Sequence, residues 1–390
     1  MSNTQQKNTK KTLRVFEAFA GIGAQATALR RTKINFKTVG ISEWFINAIL
    51  AYDAINNDQR KKIKVPSYEE QIKYLKSFSF SRDSQTKIKN IESLGKDQIR
   101  RLYIANKRSN NLGSITEIEA KDMPDCDLLT YSFPCQDLST GGKTLGMKKG
   151  SGTRSGLLWE IERILKGMKM LDKLPEFLLL ENVPTILAES NINDLKDWLN
   201  ELKKLGYHNS KPIVVDGSKF GVPQDRKRCI IVSSLHNRTL ELQGNLKEQP
   251  KPDAKKFIFT DYEENPIHKA EADEASLNPT ISRQEMWRIN KRDPFTKDTI
   301  FHTVTCNLDR SNNAGMLKYD GPIDGKYKRV YRLLTSREAF LLMGFNEEEY
   351  AKLQTLNLSY RQRNKLIGNS IIVNVLTAVF EYMFKEYAHD

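Results

Sequence analysis

The stretch Asp127-Leu128-Leu129-Thr130-Tyr131-Ser132-Phe133-Pro134-Cys135-Gln136 leads from an apolar run into a rigid proline and a cysteine. Its first half is typical of a buried parallel strand, so Cys135 should lie where such a strand ends. In open α/β sheets, ligands bind at the carboxyl ends of the strands. Cys135 is therefore a candidate nucleophile, although many unpaired cysteines are only small buried hydrophobes.

Strands and helices alternate on both sides of this stretch. Strands are predicted at residues 13–19, 38–42, 126–131, 176–180 and 228–233, and helices at 24–31, 44–55, 155–168 and 192–205. Alternation at this spacing predicts an α/β, doubly wound fold around a mostly parallel sheet. Residues 57–110 interrupt the pattern with many Lys, Arg, Ser and Gln residues, and we predict a charged, largely helical insertion there.

The chain divides into four predicted regions. Residues 1–12 are expected to be a disordered basic tail, and residues 13–250 to form the first domain, which contains the insertion. After about residue 240 the alternation stops, and residues 251–350 are expected to form a second, smaller and loop-rich domain. Residues 351–390 are expected to return to the first domain, and amphipathic helices are predicted at 336–343 and 371–385.

Composition restricts the possible partners. The 390 residues carry a net charge of +14, which suggests a polyanionic partner, although excess lysine can simply solvate a surface. No apolar run approaches the roughly 20 residues of a membrane span. The four cysteines and five histidines lack metal-ligand spacing, so we expect no metal, no disulfide framework and a cytoplasmic location.

Two short segments indicate a nucleoside site. Phe19-Ala20-Gly21-Ile22-Gly23 ends the first predicted strand, and closely spaced glycines let the backbone approach a ligand. Glu43-Trp44 ends the second, where a carboxylate can accept from both ribose hydroxyls and an indole can stack on adenine. The alternative for Trp44 is a core position at the start of a helix. Without a phosphate-binding signature, the expected ligand is an adenosine that carries no phosphates.

At this point the chain resembles the cytosine-C5 DNA methyltransferases. The resemblance rests on motifs that appear in the family's order between residues 13 and 378. They are Phe19-Ala20-Gly21-Ile22-Gly23, Phe133-Pro134-Cys135-Gln136, Glu181-Asn182-Val183, Gln224-Asp225-Arg226-Lys227-Arg228, Arg332 to Glu338 with Met343-Gly344-Phe345, and Gly368-Asn369-Ser370. The block from Cys135 to Arg163 especially resembles the branch that contains CpG-methylating enzymes.

The resemblance implies S-adenosyl-L-methionine as cofactor, S-adenosyl-L-homocysteine as product, and a methyltransferase fold that is Rossmann-like. The cofactor residues that it implies are Phe19, Ala20, Gly21, Ile22, Gly23, Glu43, Trp44, Ser114, Ile115, Ser132, Pro134, Leu157, Asn369 and Ser370. Two positions depart from the family pattern. Ser132 replaces the usual glycine before Phe-Pro-Cys. Ser114 replaces an acidic residue, and its hydroxyl accepts a hydrogen bond more weakly.

The implied catalytic residues are Cys135, Glu181, Arg226 and Arg228. A Cys135 thiolate adding to cytosine C6 would make C5 able to attack a methyl group. Glu181 ends the neighbouring strand, where a protonated carboxyl could hold N3 and the exocyclic amine. Arg228, with Arg226 behind it, could donate to the base O2. Because the target carbon is buried in a duplex, the base must be flipped out.

The expected DNA contacts fall into two groups. Ser139, Lys143 and Arg154 belong to a glycine-rich stretch that could close on the flipped base and contact phosphates. In the second domain, which the resemblance makes the target-recognition domain, the candidates are Arg283, Arg288, Arg292, Thr303, Asn307, Arg310 and Asn312. These side chains suit base edges in the major groove, but at least half of such hydrogen bonds go to phosphate.

The leading interpretation is a DNA (cytosine-5-)-methyltransferase that acts as a monomer on double-stranded DNA, associated with the nucleoid, within or derived from a restriction-modification system. One alternative is a tRNA cytosine-C5 methyltransferase of the same fold. The roughly 100 residues between Arg228 and Tyr331 favour DNA, because they suffice for a variable recognition domain. The other alternative is a catalytically inactive DNA-binding paralogue, which the presence of Cys135, Glu181 and Arg228 disfavours.

Overall fold

The computed structural model describes residues 11–134, 138, 147–150, 155–236, 239–290, 294–310, 313–325 and 327–385. The strands in these ranges are β1 (Leu13–Ala18), β2 (Phe36–Ser42), β3 (Leu128–Tyr131), β4 (Phe177–Asn182), β5 (His208–Asn209), β6 (Ile213–Asp216), β7 (Lys227–Ser234), β8 (Met316–Lys318), β9 (Ile323–Asp324), β10 (Tyr327–Lys328) and β11 (Tyr331–Leu333). The helices are α1 (Ala24–Arg30), α2 (Ile46–Asn56), α3 (Tyr68–Leu75), α4 (Lys96–Arg108), α5 (Leu158–Met170), α6 (Ile192–Leu205), α7 (Pro266–Ala275), α8 (Ile281–Asn290), α9 (Ser336–Leu342), α10 (Glu347–Gln354), α11 (Tyr360–Gly368) and α12 (Val373–Met383).

A seven-stranded sheet organises the first domain. Its order is β2-β1-β3-β4-β7-β5, and β6 also pairs with β7. The pairs among β1, β2, β3 and β4 are parallel, whereas β7 runs antiparallel to β4, β5 and β6. The predicted doubly wound, mostly parallel fold is confirmed. The antiparallel strands β5 and β6 were not predicted, because they are short, with two residues in β5 and four in β6, and β5 contains no buried residue.

Helices cover both faces of the sheet because successive strand residues point to opposite sides. On β1, Val15 packs into the core with α1, α2 and α12, whereas Phe16 packs into the core with α5 and α6. On β4, Leu179 packs into the same core as Val15, and Leu180 packs into the same core as Phe16. The sheet is therefore the middle of three layers, and its carboxyl edge is left for a site.

The insertion has a small hydrophobic core of its own. Ile72 and Leu75 of α3 meet Leu102 of α4 there, together with Ile46 and Ile49 from α2. Helices α3 and α4 agree with the helical prediction for this region, but residues 76–90 between them contain no helix. The insertion is thus anchored on the helix that follows β2.

The region after residue 250 contains more regular structure than the sequence suggested. Helices α7 and α8 and two pairs of short strands, β9 with β10 and β8 with β11, lie where a loop-rich domain was predicted, and α10 and α11 follow α9. The stretch Tyr360–Met383 has the length and composition of a membrane span, but 72% of its apolar window is buried inside the protein. It comprises α11 and α12, which pack into the same core as α1.

Candidate active site

One cleft collects residues from the carboxyl ends of β1, β2, β3 and β4 and from the turn after α11. Of the predicted site residues, its walls contain Phe19, Gly21, Ile22, Glu43, Trp44, Ser132, Pro134, Glu181, Arg226, Arg228, Asn369 and Ser370. Four other lining residues belong to the quoted motifs but had no predicted role, namely Phe133, Asn182, Val183 and Gly368. The sequence had not singled out the remaining four, which are Phe45, Ala48, Ser84 and Leu366. Five predicted cofactor residues are not part of the walls, namely Ala20, Gly23, Ser114, Ile115 and Leu157.

Residues 19–23, which we call the glycine loop, form the floor of the cleft. Gly23 precedes α1 with φ +80°, and a Cβ there would lie 2.2 Å from Asn56 Nδ2, so close packing against α2 requires glycine. Phe19 also has a positive φ, +55°, which is rare for an aromatic residue and is strained. Such strain is typical of functional loops whose shape is fixed by their surroundings.

Glu43 holds this floor to the second strand. Its Oε2 accepts from Gly21 N–H at 2.9 Å, and its Oε1 accepts from Trp44 N–H at 2.9 Å and Phe45 N–H at 2.8 Å. Desolvation raises the pKa of this carboxyl, and the three N–H donors oppose the shift. Since a carboxylate has about four acceptor positions, about one remains. In this conformation Glu43 can accept from one ribose hydroxyl, not from the two that the sequence suggested.

Asn111 joins the end of β2 to the segment that contains Ser114. Its side chain accepts from Glu43 N–H at 3.0 Å and donates to the Glu43 carbonyl at 2.9 Å. It also accepts from Gly113 N–H at 3.1 Å. Ser114 follows directly, and its hydroxyl pairs with that of Thr116 at 2.9 Å. Ser114 therefore lies next to the cleft wall, with its hydroxyl turned to a neighbouring residue.

Glu181 and Arg228 form a buried ion pair at the other end of the cleft. Arg228 Nε lies 3.1 Å from Glu181 Oε1. Desolvation raises the pKa of the Glu181 carboxyl, and the charges of Arg228 and Arg226 limit the rise. A carboxyl with a raised pKa can hold or share a proton, which is what a hydrogen-bond donor to a ring nitrogen needs. The register pairs Leu180 with Tyr131, so Glu181 stands beside the residues that lead to Pro134.

Two side chains fix the backbone that leads to Cys135. Asn182 Nδ2 donates to the Phe133 carbonyl at 3.1 Å, and Ser155 Oγ donates to the Pro134 carbonyl at 2.8 Å. Asn182 and Ser155 were quoted in the sequence motifs without a role. Cys135 itself lies outside the described residues, as do Ser139, Lys143 and Arg154.

Arg226 has a different role from the one that the sequence suggested. Its Nη1 donates to the Val304 carbonyl at 2.7 Å, and its Nη2 donates to the carbonyls of Gly368 at 2.9 Å and Ser370 at 2.6 Å. The guanidinium is buried and its terminal nitrogens are committed to the backbone. Arg226 therefore holds three chain segments together under the cleft, and a contact between its guanidinium and the substrate base stays a prediction.

The other described cysteines differ sharply in environment. Burial raises the pKa of Cys126 and of Cys229 to about 12, so both thiols stay protonated at neutral pH. Cys306 is exposed, and its Sγ donates to Asn369 Oδ1 at 2.8 Å, beside the cleft. Cys306 is thus the described thiol that any experiment on Cys135 must control for.

The DNA contacts predicted in the second domain, apart from Arg283, fall into three groups. Thr303 and Arg310 line a second groove that shares Arg228 with the cleft and also contains Lys227 and His302. Arg288 and Asn307 are exposed, and Asn307 Oδ1 accepts from Asp309 N–H at 3.0 Å. Arg292 and Asn312 lie outside the described residues.

The side chain of Arg283 forms an ion pair within the protein. It forms a two-pronged ion pair with Asp309, with Nη2 and Nε at 2.8 Å and 3.2 Å from Oδ2, and its Nη1 donates to the Asn278 carbonyl at 3.2 Å. In this conformation the guanidinium fork that would contact a base is occupied by Asp309, and base reading by Arg283 stays a prediction.

Comparison with known proteins shows the family of this chain. The family model for C-5 cytosine-specific DNA methylase matches residues 84–385. Orphan methyltransferase M.SssI of Spiroplasma monobiae is 36% identical, over 98% of this chain and 99% of its own length. Type II methyltransferase M2.ScrFI of Lactococcus lactis subsp. cremoris is 33% identical, over 96% and 99%. The S. pombe Dnmt2 methyltransferase structure superposes with a TM-score of 0.61 at 18% identity, over 96% of this chain and 99% of that one, which shows the shared fold.

Proposed function

This chain belongs to the C-5 cytosine-specific DNA methylases, and from this premise we propose that it is a DNA (cytosine-5-)-methyltransferase that modifies double-stranded DNA. The observation that carries the proposal is the continuous cleft, with Glu43 and Trp44 at one end and the Glu181–Arg228 pair at the other. Pro134, the residue before Cys135, lies in the same wall. A methyl donor and a flipped base could therefore meet in one cavity.

The cleft suits S-adenosyl-L-methionine, which supplies an electrophilic methyl group on a sulfonium when bound. Glu43 keeps an acceptor position for a ribose hydroxyl, and Trp44 offers an aromatic face. Gly21 has open space where a Cβ would stand, so the backbone of the loop can approach a ligand closely. The side chains of Phe19 and Asn369 complete this end. S-adenosyl-L-homocysteine leaves as the product, and the reaction needs no metal.

The residues at the other end would activate the base. The Cys135 thiolate forms a bond to cytosine C6, and the displaced electron pair makes C5 nucleophilic enough to take the methyl group. Protonated Glu181 donates to N3 and accepts from the exocyclic amine, and Arg228 donates to O2. Loss of the C5 proton to solvent then restores the double bond and expels the thiolate. Arg226 positions the site without touching the substrate.

DNA is the substrate that two observations support. The family model that matches residues 84–385 is described as a DNA methylase. The second groove contains Lys227 and Arg310 together with Arg228 of the catalytic pair. These three cationic side chains outnumber the one carboxylate among its described residues, Asp225, which suits a phosphate backbone. We propose that the enzyme works as a monomer on DNA of the nucleoid, either alone or within a restriction-modification system.

Covalent trapping tests the proposal directly. Duplex DNA that contains 5-fluorocytosine blocks the loss of the C5 substituent, so the wild-type enzyme with S-adenosyl-L-methionine should accumulate a stable protein–DNA adduct. Cys135→Ser should form none, whereas Cys306→Ser, which removes the exposed thiol beside Asn369, should retain it. An adduct that survives Cys135→Ser, or an adduct with tRNA and not with DNA, would overturn the proposal.

A further inference from the structure

One loop of the insertion lies at the end of the cleft that contains Glu43 and Trp44. We define the insertion loop as residues 81–87. Ser81 N–H donates to the Trp44 carbonyl at 2.8 Å, and Ile46 N–H donates to the Ser81 carbonyl at 3.0 Å. The loop is therefore bonded through its backbone to the segment that carries Trp44. Ser84, near its tip, is one of the residues that line the cleft.

The insertion loop is held in a defined shape. Asp83 Oδ1 accepts from Thr86 N–H at 2.7 Å, Gln85 N–H at 2.8 Å and Ser81 Oγ at 2.9 Å. The backbone donors hold the pKa of this carboxyl at about 2, so it is charged at neutral pH. The turn places Ser84 in the left-handed region with φ +61°, a conformation that serine rarely adopts. A strained residue in a tightly bonded turn at a cleft is typical of a ligand contact.

A lysine on α11, the helix that leads to Asn369 and Ser370, forms a hydrogen bond to the insertion loop. Lys365 lies on α11, just before Gly368, Asn369 and Ser370. Its Nζ donates to the Asp83 carbonyl and lies 5.2 Å from the centre of the Phe45 ring. The insertion loop thus links the Glu43–Trp44 wall to the Asn369–Ser370 wall, and Lys365 supplies the bond between them.

We propose that the insertion loop is a cofactor-binding element, with Ser84 in contact with the adenosine half of the cofactor and Lys365 as the residue that sets the separation of the two walls. The inference rests on the proposed function for the identity of the cofactor. Ser81 is bonded to Trp44, so the loop faces the adenosine end of the cleft and not the Glu181 end. Disturbing it should change cofactor affinity and leave the transfer step itself alone.

The first test uses Lys365→Met, which keeps the alkyl stem over Phe45 but removes the donor. We expect the Kd for S-adenosyl-L-homocysteine, measured by calorimetry, to rise about tenfold, as for the loss of one charge-assisted hydrogen bond. The KM for S-adenosyl-L-methionine should rise in parallel, with kcat at saturating cofactor within about twofold of wild type. Lys96→Met is the matched control, because Lys96 lies over the Tyr68 ring at 5.5 Å within the same insertion and is not part of the cleft.

The second test compares Ser84→Gly with Asn357→Gly. Both positions have positive φ, +61° and +51°, so glycine relieves backbone strain in each. If Ser84 contacts the cofactor, only Ser84→Gly should weaken S-adenosyl-L-homocysteine binding, by several-fold. Unchanged affinity in both Lys365→Met and Ser84→Gly would overturn the inference. Failure of the wild-type protein to bind S-adenosyl-L-homocysteine would instead overturn the proposed function.

Discussion

Glu17 is a carboxyl with no access to solvent, placed in β1 directly below the glycine loop. Tyr52 Oη donates to its Oε1 at 2.5 Å. Burial raises the pKa of Glu17 to about 7, and the hydrogen bond from Tyr52 partly opposes the shift. The group therefore changes charge near neutral pH inside the core that supports the cofactor cleft.

The shift predicts a specific dependence of stability on pH. Because the pKa of Glu17 is raised in the folded state, its contribution is greatest below the unfolded pKa of about 4.3 and is lost as pH rises through about 7. Glu17→Gln removes this loss. Relative to wild type, its free energy of unfolding should therefore improve by about 2–3 kcal/mol between pH 5 and pH 8.

Urea unfolding of wild type and Glu17→Gln at the two pH values measures this difference. Glu69→Gln is the control, because Glu69 is an exposed carboxyl in the first turn of α3. A difference between Glu17→Gln and wild type that stays constant from pH 5 to pH 8 would contradict the prediction.

At the scale of residues, the sequence predicted the parts of the site that follow from strand order. Glu181 could be placed beside Pro134 because parallel neighbours end at the same edge of the sheet. The role of Arg226 could not be predicted, since its three acceptors lie 78, 142 and 144 residues further along the chain. Ser84 carried no sequence signal, because only the folded insertion brings it to the cleft.

At the scale of elements, α11 packs closely against residues 305–306 at Gly368. A Cβ on Gly368 would lie 2.3 Å from Cys306 N and 2.3 Å from the Thr305 carbonyl carbon. These are backbone atoms, which cannot turn aside as a flexible side chain can. Gly368→Ala must therefore push α11 away from residues 305–306, and Asn369 and Ser370 move with it.

We expect Gly368→Ala to lower the free energy of unfolding by about 1–3 kcal/mol, the usual cost of overpacking. It should also weaken S-adenosyl-L-homocysteine binding. Gly95→Ala is the matched control, because Gly95 precedes α4 and has no atom near its missing Cβ. That variant should stay within about 1 kcal/mol of wild type. Equal stability of the two variants would show that α11 can shift without cost.

The helices that the sequence did not predict carried a local signal. Asn346 with Glu349 and Ser359 with Gln362 form capping boxes at the starts of α10 and α11. These helices are short and mostly polar, so their apolar periodicity is weak, whereas the spacing of the caps is visible in the chain. The long helix α6 was predicted correctly because its apolar face repeats over four turns.

At the scale of the whole molecule, the recognition domain that we propose for residues 251–350 would read DNA with side chains that are not already used to build it. Arg283 is committed to Asp309, whereas Arg288 on α8 is exposed. We expect Arg283→Ala to lower the free energy of unfolding by about 1 kcal/mol and to leave the target sequence unchanged.

Arg288→Ala should leave stability unchanged and weaken DNA binding. If Arg288 reads a base, the loss should be about 1–3 kcal/mol, with a relaxed target at one position. Genome-scale sequencing of methylated cytosines, together with urea unfolding of both variants, separates the two roles. An altered target pattern in Arg283→Ala would show that its pair with Asp309 opens on DNA.

The contact between α12 and α1 has a consequence for biosynthesis. The first helix of the sheet domain packs against the last described helix, and the Asn369–Ser370 wall lies just before that last helix. A ribosome must therefore release the chain through α12 before the two walls of the cleft can meet. A nascent or prematurely terminated polypeptide would hold the glycine loop and the nucleophile but no closed cofactor site. Binding of the cofactor would then begin only after α12 has been synthesised and has packed against α1.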